Sequence, residues 1–475
     1  MTGSYLLIDF GASRVKTALF DQINMRMYGV HSFSPPGNCS TKGPGYFEIS
    51  CKEIRYQFQE ICSWYWQRER FQGVFLCAQM HGFALLDANG EFVSEYISWQ
   101  DQRSLHEIKG RSSYQLLQEQ LSSSAFKQRT GLKLRPSYPV ANLIHLLRAD
   151  PGLPAGEVID LCGVITAGVR FGHRIHRTML SGMGGMDLTT GSMDEIDRII
   201  RAITGKRLRW GTLSPETEIA GYWTCDGKEI PVYVGVGDHQ CSVLGAGNRL
   251  DHTISINMGT GSQVSIVRKG MIDALHNDFD IRPFFEGEYL QCVTHIPSGR
   301  ALNCFLALIE SVNKAGKGKL DIWDELLRLN QQDIPSGLPS FDLGLFEGAW
   351  GYDGTMGKIS GIREGHWNLQ TYLIGMISSY VEQYKRVIET LDPNEELSQC
   401  ILSGGLPRRI PIILMWLTKI LKRSVILSRF EEETLVGLAT LSLKKECADK
   451  SLDSLICSVH ENMRMNDNLV EKVKT

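Results

Sequence analysis

Residues 6–20 read Leu6-Leu7-Ile8-Asp9-Phe10-Gly11-Ala12-Ser13-Arg14-Val15-Lys16-Thr17-Ala18-Leu19-Phe20. Three apolar residues run into an acid and a glycine, and a second β-type run follows at once, which predicts a strand, a tight turn and a strand. Asp9 offers a carboxylate for a metal ion, and Gly11 lets the backbone approach a ligand closely. Ser13 and Lys16 are suited to phosphate. A surface hairpin with a charged tip is the alternative that this stretch leaves open.

A second copy of this layout lies deep in the chain. It reads Ile254-Ser255-Ile256-Asn257-Met258-Gly259-Thr260-Gly261-Ser262-Gln263-Val264-Ser265-Ile266-Val267. In both copies a polar residue precedes a glycine by two places and β-type runs flank the turn, and such self-similarity indicates duplicated architecture. Two hairpins facing each other would grip the phosphates of a nucleotide, because the N–H groups and hydroxyls of the turns donate to phosphate oxygens.

Length and composition are those of an ordinary globular protein. The 475 residues suggest two or three domains, and the shares of 43% hydrophobic and 22% charged residues are typical of globular chains. A net charge of -3 gives no basic field for nucleic acid or for an anionic membrane. The chain enters a strand within a few residues, so we expect no signal peptide. The 12 cysteines include no C-x-x-C pair, which favours reduced thiols in a cytoplasm over disulfides or a zinc site.

Hydrophobic periodicity places further elements along the chain. The spacing of apolar residues predicts helices over 51–70, 104–131, 138–150, 193–204, 367–391, 410–421 and 431–443. Residues 157–190 are rich in glycine and stay unassigned. The stretch 444–475 is polar with little core periodicity, so we expect only partial order there.

Polar side chains follow a buried strand predicted at 73–78. They are Gln79, Met80 and His81, with Gly82 next, and the carboxyl end of a strand is where open α/β sheets bind ligands. A core histidine with satisfied hydrogen bonds is the alternative for His81. Further on, Trp99 offers a flat apolar wall.

Asp101 and Arg103 offer partners for hydroxyl groups. The alternatives for this pair are a mutual salt bridge or a helix start at which Asp101 is the N-cap.

Two more sites follow predicted strands. Asp238 comes after the strand at 231–235 and a glycine, which places a carboxylate at the edge of a cleft; a turn carboxylate that caps the next element is the alternative. The strand at 400–403 runs into Gly404 and Gly405 and then into a helix. That order forms a seat for a phosphate or a purine ring, and a plain strand-to-helix turn is its alternative.

Six short motifs in register carry a family resemblance over nearly the whole chain. They are Asp9-x-Gly11, Gln79-Met80-His81-Gly82, Trp99-x-Asp101-x-Arg103, Gly237-Asp238, Gly259-Thr260-Gly261 and Ser403-Gly404-Gly405. The chain resembles the FGGY carbohydrate kinases, and within them xylulokinase and sedoheptulokinase.

The resemblance implies an α/β fold of two ribonuclease-H-like domains, of the actin-like ATPase superfamily, with a cleft between them. It implies an N-terminal domain at 1–240 that binds sugar, a C-terminal domain at 241–445 that binds nucleotide, and a tail at 446–475. The implied activity is transfer of the γ-phosphoryl group from Mg-ATP to a terminal hydroxyl of a ketose, a pentulose or a heptulose, by a cytoplasmic enzyme. A homodimer is the default expectation.

The family's residue roles fall on the matching positions of this sequence. Asp238 would be the general base and also contact the sugar, and Asp9 would hold magnesium. The other sugar contacts would come from Gln79, Met80, His81 and Asp101. The nucleotide would be bound by Gly11, Ser13, Lys16, Gly259, Thr260, Gly299, Gly404 and Gly405.

The sequence departs from the family at three places. Ala12 stands where the family usually has threonine, so one phosphate hydroxyl is missing and Ser13 must compensate. The segment 298–300 differs from the family's usual glycine-rich form, and the family's mid-chain signature is blurred at 343–361. Two other classes of protein share part of the pattern, an actin-like nucleotide binder without catalysis and a degenerate kinase that senses sugar. The sugar-binding motifs argue against the first class, and the retained Asp9 and Asp238 argue against the second.

Overall fold

A computed structural model describes residues 3–167, 172–249, 251–259, 261–270, 278–318, 320–329, 334–352 and 356–466. The strands of the first half are β1 (Ser4–Phe10), β2 (Val15–Asp21), β3 (Arg26–Phe33), β4 (Glu48–Ile49), β5 (Val74–Ala78), β6 (Ala84–Leu86), β7 (Tyr96–Ile97), β8 (Glu107–Ile108), β9 (Arg111–Ser112), β10 (Glu157–Ile159), β11 (Arg174–Ile175), β12 (Thr212–Leu213), β13 (Ile219–Cys225), β14 (Lys228–Tyr233) and β15 (Val236–Gly237). Its helices are α1 (Cys51–Trp66), α2 (Ser113–Gln120), α3 (Ser123–Thr130), α4 (Pro139–Ala149), α5 (Leu161–Thr166), α6 (Arg177–Gly182), α7 (Asp194–Thr204) and α8 (Asp238–Gly245).

The second half continues the same alternation of strands and helices. Its strands are β16 (Thr253–Met258), β17 (Ser262–Arg268), β18 (Asp280–Pro283), β19 (Tyr289–Ile296), β20 (Ser340–Phe341), β21 (Ile359–Ser360), β22 (Gln399–Ser403), β23 (Ser424–Leu427) and β24 (Arg464–Asn466). Its helices are α9 (Gly299–Ala315), α10 (Ile322–Leu327), α11 (Leu369–Leu391), α12 (Gly405–Arg409), α13 (Pro411–Leu421), α14 (Glu433–Glu446) and α15 (Leu452–Asn462). None of the described helices combines the length and the apolarity needed to cross a bilayer.

Two sheets repeat one topology. The first has the order β13-β14-β5-β1-β2-β3-β24, with β15 also paired to β5, and the second has the order β18-β19-β17-β16-β22-β23. In the first sheet β1 is antiparallel to β2 and parallel to β5. In the second, β16 is antiparallel to β17 and parallel to β22. The duplicated hairpins of the sequence are therefore equivalent central strands of two sheets, and the predicted duplication is confirmed.

Helices α8 and α14 lie between the two sheets. Their apolar side chains share one core with residues of both sheets, among them Leu7 of the first and Leu290 of the second. The helices meet at glycines: a Cβ on Gly245 would lie 1.7 Å from the carbonyl oxygen of Glu433, and one on Gly437 would lie 2.1 Å from that of Cys241. The predicted domain boundary after residue 240 falls inside α8.

Helix α11 shows how well local signals mark an element. The sequence predicts a helix over 367–391, and α11 begins after Asn368, whose side chain accepts a hydrogen bond from the N–H of Thr371. The Thr371 hydroxyl is hydrogen-bonded in turn to the N–H of Asn368, which completes a capping box.

The long helix predicted over 104–131 is wrong. Residues 107–112 form a hairpin of β8 and β9 instead, and two short helices, α2 and α3, follow it. The turn residues Lys109 and Gly110 both have positive φ, at 53° and 78°, which is the conformation of a two-residue hairpin turn and interrupts any helix. Ser112 and Ser122 then cap the two helices.

The C-terminal stretch is ordered further than its polar composition suggests. Helix α15 buries Leu452, Leu455, Ile456 and Val459 on one face, and β24 pairs in parallel with β3 of the first sheet. The expectation of only partial order is therefore wrong up to residue 466. The chain returns from the second sheet to the edge of the first, so this segment ties the two halves together.

Candidate active site

Three parallel strands of the first sheet end at the same level. Phe10 of β1 and Gly237 of β15 both pair with Ala78 of β5, one on each side. Asp9, Gln79 and Asp238 stand at these ends. Since neighbouring strands lie about 4.8 Å apart, β1 and β15 are separated by roughly 10 Å at this edge. The sheet thus brings together two acids that are 229 positions apart in the sequence.

The carboxyl group of Asp238 is tuned by this position. Burial raises the pKa of Asp238 to about 7, and the negative charge of Asp9 adds to the rise. Its Oδ1 accepts a hydrogen bond of 2.7 Å from the N–H of His239, the second residue of α8. A carboxyl group with a pKa near neutrality can both accept and release a proton at physiological pH.

Asp9 is buried, and its two carboxylate oxygens differ in their hydrogen bonding. Its Oδ2 accepts a hydrogen bond of 2.7 Å from the hydroxyl of Thr434 at the start of α14, whereas its Oδ1 has no hydrogen-bond partner among the described residues. Burial raises the pKa of Asp9, while Thr434 and the charge of Lys16 oppose the rise.

That free oxygen fits a magnesium ion. The described residues contain no group of three or more histidine, cysteine or acidic side chains that could hold a metal. Magnesium at a phosphate site usually takes only one or two carboxylates and completes its shell with water and phosphate oxygens, so a single inward carboxylate such as Asp9 is sufficient.

The two residues of the first hairpin that are predicted to bind phosphate, Ser13 and Lys16, lie in different surroundings. Ser13 is exposed at the tip. Lys16 pairs with Asp9 in the strand register, and its Nζ lies 2.6 Å from a carboxylate oxygen of Glu432. Gly11 is required by the turn, because a Cβ there would lie 2.8 Å from the carbonyl oxygen of Arg14. The lysine therefore lies beside the predicted metal ligand but is paired with an acid from the other half of the chain.

The glycines assigned to the nucleotide gather around the second hairpin. The N–H of Gly299 donates to the carbonyl oxygen of Gly259 at 3.1 Å. Gly404 has a φ of 88°, and a Cβ on it would lie 2.4 Å from the carbonyl oxygen of Met258. A Cβ on Gly405 would meet nothing within 4 Å, so open space lies in front of it. Thr260 lies outside the described residues.

A buried hydroxyl network supports this hairpin from below. Ser298 donates to the carbonyl oxygen of Gly259 at 3.0 Å and is hydrogen-bonded to the hydroxyl of Tyr380. Tyr384 donates to Ser262 at 2.9 Å, and Ser262 donates to the carbonyl oxygen of Asn257 at 2.5 Å. The apolar spacing over 367–391 predicts the helix that carries both tyrosines but not their hydroxyl contacts, because helical periodicity records only which face is buried.

The predicted sugar residues Gln79, Met80 and His81 lie next to Asp238. The Oε1 of Gln79 is buried without a partner among the described residues. Met80 packs so closely on Gly237 that a Cβ there would lie 2.7 Å from its sulfur. His81 has a φ of 63°, and its Nδ1 lies 2.8 Å from the carbonyl oxygen of Gly182.

His81 has a defined protonation state. Burial, with the charge of Arg282 as a second cause, lowers the pKa of His81 to about 3, so the ring is neutral. Because a carbonyl oxygen only accepts, Nδ1 carries the proton and Nε2 remains an acceptor. The ring stacks on Tyr138 with centroids 5.2 Å apart. The alternative, a core histidine whose hydrogen bonds are all made within the protein, explains the bond of Nδ1 but gives no partner for Nε2 among the described residues.

For Asp101 the geometry favours the structural alternative. Its side chain has no exposed surface, and Arg103 donates to both carboxylate oxygens at 2.9 and 2.7 Å. The N–H groups of Arg103 and Phe47 add one further bond to each oxygen. Glu48 accepts from the same guanidinium at 2.7 Å. Asp101 therefore forms the mutual salt bridge with Arg103 that the sequence left open as an alternative, and its contact with a sugar hydroxyl stays a prediction.

Sequence analysis missed two contributions from the second half of the chain. Glu432 and Thr434 precede and begin α14 and contact Lys16 and Asp9. Their signal was available in the run of acids at 431–433, at the start of the helix predicted over 431–443. Glu433 stands between these two residues in the sequence, and burial raises the pKa of its carboxyl group to about 7. Arg282 is the other contribution, a buried arginine in the four-residue strand β18, which also contains the buried Asp280.

Comparison with known proteins agrees with this architecture. The sequence profile described as "FGGY family of carbohydrate kinases, N-terminal domain" matches residues 4–245. No curated protein sequence matches the chain.

Solved structures extend the likeness to the whole chain. A ligand-bound xylulose kinase from Lactobacillus acidophilus superposes with a TM-score of 0.79 at 16% identity, covering 95% of this chain and 91% of that one. A gluconate kinase from the same organism gives 0.79 at 15% identity with the same coverage. A Plasmodium falciparum glycerol kinase with ADP gives 0.78 at 15% identity, covering 99% and 96%. The predicted fold class, two ribonuclease-H-like domains with a cleft between them, is confirmed.

Proposed function

The chain belongs to the FGGY family of carbohydrate kinases, and we propose that it transfers the γ-phosphoryl group of ATP to a terminal hydroxyl of a pentulose or heptulose, such as xylulose or sedoheptulose. The observation that carries the proposal is the position of Asp9 and Asp238 on either side of the end of β5. A solved neighbour named a xylulose kinase supports a ketose acceptor.

Asp238 acts as the general base in this proposal. A sugar hydroxyl is a weak acid, and a carboxylate within hydrogen-bond reach accepts its proton as the new bond to phosphorus forms. Positioned bases of this kind contribute roughly 10²–10⁴-fold to rate, and they work best with a pKa near the working pH. The pKa of about 7 for Asp238 meets that condition.

Magnesium is held through Asp9, whose unpartnered Oδ1 supports this role, and when bound it would neutralise phosphate charge. Lys16 and Ser13 contact the phosphates from the first hairpin. Lys16 is paired with Glu432, and because its ammonium group has three N–H donors it can donate to a phosphate oxygen as well.

The second hairpin and its glycines hold the nucleotide, with Gly404 and Gly405 against the adenosine. Thr260 contributes a hydroxyl to a phosphate. The open space in front of Gly405 and the close approach at Gly404 support this assignment. Closure of the two domains shuts water out of the cleft and limits wasteful hydrolysis of ATP.

Three further proposals concern the chain as a whole. The N-terminal domain ends at residue 240 and the C-terminal domain begins at 241, where α8 passes between the two sheets. The enzyme works in the cytoplasm, which the twelve free thiols support. A homodimer stays a prediction.

A coupled-enzyme screen of pentuloses, heptuloses and polyols with Mg-ATP tests the function. We expect ADP release that depends on a ketose. ADP release at a comparable rate without any sugar would contradict closure as the gate. Polymerisation on ATP without sugar-dependent ADP release would favour an actin-like nucleotide binder instead.

A further inference from the structure

Strand β18 of the second sheet carries a buried cation to the candidate sugar site. Only 6% of Arg282 is exposed, and its Nε has no hydrogen-bond partner among the described residues. Among the described residues, its one ion pair is with Asp280. The distance from Arg282 Nη2 to Asp280 Oδ2 is 3.6 Å, which is too long for a hydrogen bond. A buried guanidinium with unused donors is costly unless something else satisfies it.

The strand is fastened to the first half of the chain by three hydrogen bonds that involve its backbone or the side chain of Asp280. The N–H of Ile281 donates to the carbonyl oxygen of Gly131 at 2.8 Å, and the N–H of Lys133 donates to Asp280 Oδ1 at 3.2 Å. The side chain of Gln240, the third residue of α8, donates to the carbonyl oxygen of Pro283 at 3.1 Å. These contacts hold β18 against the segment that follows α3 and against α8, the helix that begins at Asp238. Its charge depresses the pKa of both His81 and Asp238, which agrees with a place between them.

Other buried polar atoms around this point also lack partners among the described residues. They are the Oε1 of Gln79, the hydroxyl of Tyr138 and the Oε1 of Gln240. Together with Nε2 of His81, the two amide oxygens can only accept hydrogen bonds, whereas the Tyr138 hydroxyl can accept or donate. Arg282 can only donate. A ligand that satisfies the whole set needs hydroxyl groups for the acceptors and an oxygen that cannot donate for the arginine.

We propose that Arg282 is a specificity-determining residue that donates to an acceptor-only oxygen of the sugar, the ketone carbonyl of a ketose or the carboxylate of an aldonate. This inference rests on the proposed function and narrows its substrate class. A polyol carries a hydroxyl at that carbon, and a hydroxyl can turn to the acceptors of Gln79 or His81 instead. The site therefore prefers an oxidised carbon at that position over a reduced one.

The test compares substrate pairs that differ only at that carbon: D-xylulose with xylitol, sedoheptulose with the corresponding heptitol, and D-gluconate with D-glucitol. The value of kcat/KM is measured for the wild-type chain and for Arg282→Met, Arg282→Lys and Arg282→Gln. Arg268→Met is the matched control, because Arg268 is a largely buried arginine paired with Asp251 at the opposite end of β17 from the hairpin turn.

We expect Arg282→Met to lower kcat/KM for the ketose or aldonate by roughly 10- to 150-fold, the value of a hydrogen bond to a charged group. For the polyol, the fold-loss of kcat/KM should be smaller by a factor of at least about ten. Arg282→Lys, which keeps the charge but not the planar fork, should lie between. Arg268→Met should leave the ratio of the two substrates unchanged. If Arg282→Met does not fold, Arg282→Lys and Arg282→Gln provide the same comparison, and each should still lower kcat/KM more for the ketose or aldonate than for the polyol.

Equal losses on both members of every pair, or no loss, would overturn the inference while leaving the kinase assignment intact. A wild-type preference for polyols would also overturn it. If the wild-type chain phosphorylates no sugar of the panel, the proposed function and this inference fail together. The ketose and gluconate arms separate the two sources of the acceptor oxygen, since only the carboxylate matches both donors of the fork.

Discussion

Replacing Asp238 by Asn should abolish turnover and stabilise the fold. The pKa of Asp238 rises from an ordinary 3.8 to about 7 on folding, with burial as the first cause and Asp9 as the second. A tenfold change in acidity corresponds to about 1.4 kcal/mol. The ionised carboxylate therefore costs the folded state at most about 4 kcal/mol above pH 7. Asn keeps the acceptor for the N–H of His239 and carries no charge.

The pH dependence of this gain has a definite sign. Below about pH 4 the carboxyl group is protonated in both the folded and the unfolded chain, so the substitution changes little. Between about pH 4 and 7 the unfolded chain loses its proton first, and the cost grows with pH. Above the folded pKa the cost is complete. The stability of Asp238→Asn relative to wild type should therefore rise with pH over this range and then level off.

Urea unfolding at about pH 5 and pH 8.5, in buffer with a chelator to remove divalent cations, measures this difference. Turnover should fall by roughly 10²–10⁴-fold, and the wild-type kcat/KM should itself fall below about pH 7 as the base becomes protonated. Asp101→Asn is the contrasting variant, because that carboxylate is fully hydrogen-bonded and its loss should destabilise the fold. Near-normal turnover in Asp238→Asn, or a stability difference that does not change with pH, would refute the reasoning.

Three other changes test separate parts of the structure. Gly404→Ala should raise the KM for ATP at least tenfold, because its φ of 88° and the Met258 oxygen at 2.4 Å leave no room for a Cβ, whereas Gly405→Ala should weaken ATP binding with no loss of thermal stability. Gly245→Ala should lower the melting temperature by forcing α8 and α14 apart, and Gly37→Ala, which faces open space, is its control; equal melting temperatures would contradict the backbone contact. Arg103→Met should cost about 3–5 kcal/mol in urea unfolding, since it leaves Asp101 buried without its partner; a change near zero would show that the pair contributes nothing.

Local sequence signals predicted the elements that depend on short-range order. Both hairpins, the helix α11 and the strand ends carrying Gln79 and Asp238 follow from residue types at fixed spacing. The one long helix that failed, over 104–131, contained its own contrary signal in Lys109-Gly110, a turn dipeptide that periodicity counts as two ordinary polar residues.

The roles of single charges depended on partners that no local pattern shows. Asp101 forms a buried salt bridge with Arg103, which the sequence offered only as one alternative beside a contact with a sugar hydroxyl. Lys16 looked free for phosphate, and it is paired with Glu432 of the other half. Each of these outcomes is set by a residue remote in the chain or by burial that only packing creates.

The sequence by itself determined the duplicated strand-turn-strand units, the acids that follow them and the family resemblance, because these are patterns of neighbouring residues. Only the tertiary structure decided that Asp9 and Asp238 end on either side of one strand, that α14 supplies Thr434 to Asp9, and that β18, which carries the buried Arg282, is fastened to the first half of the chain. The physical reason is that electrostatic and hydrogen-bonding partners are chosen by distance in space and by the loss of water around them, and the order of residues along the chain fixes neither.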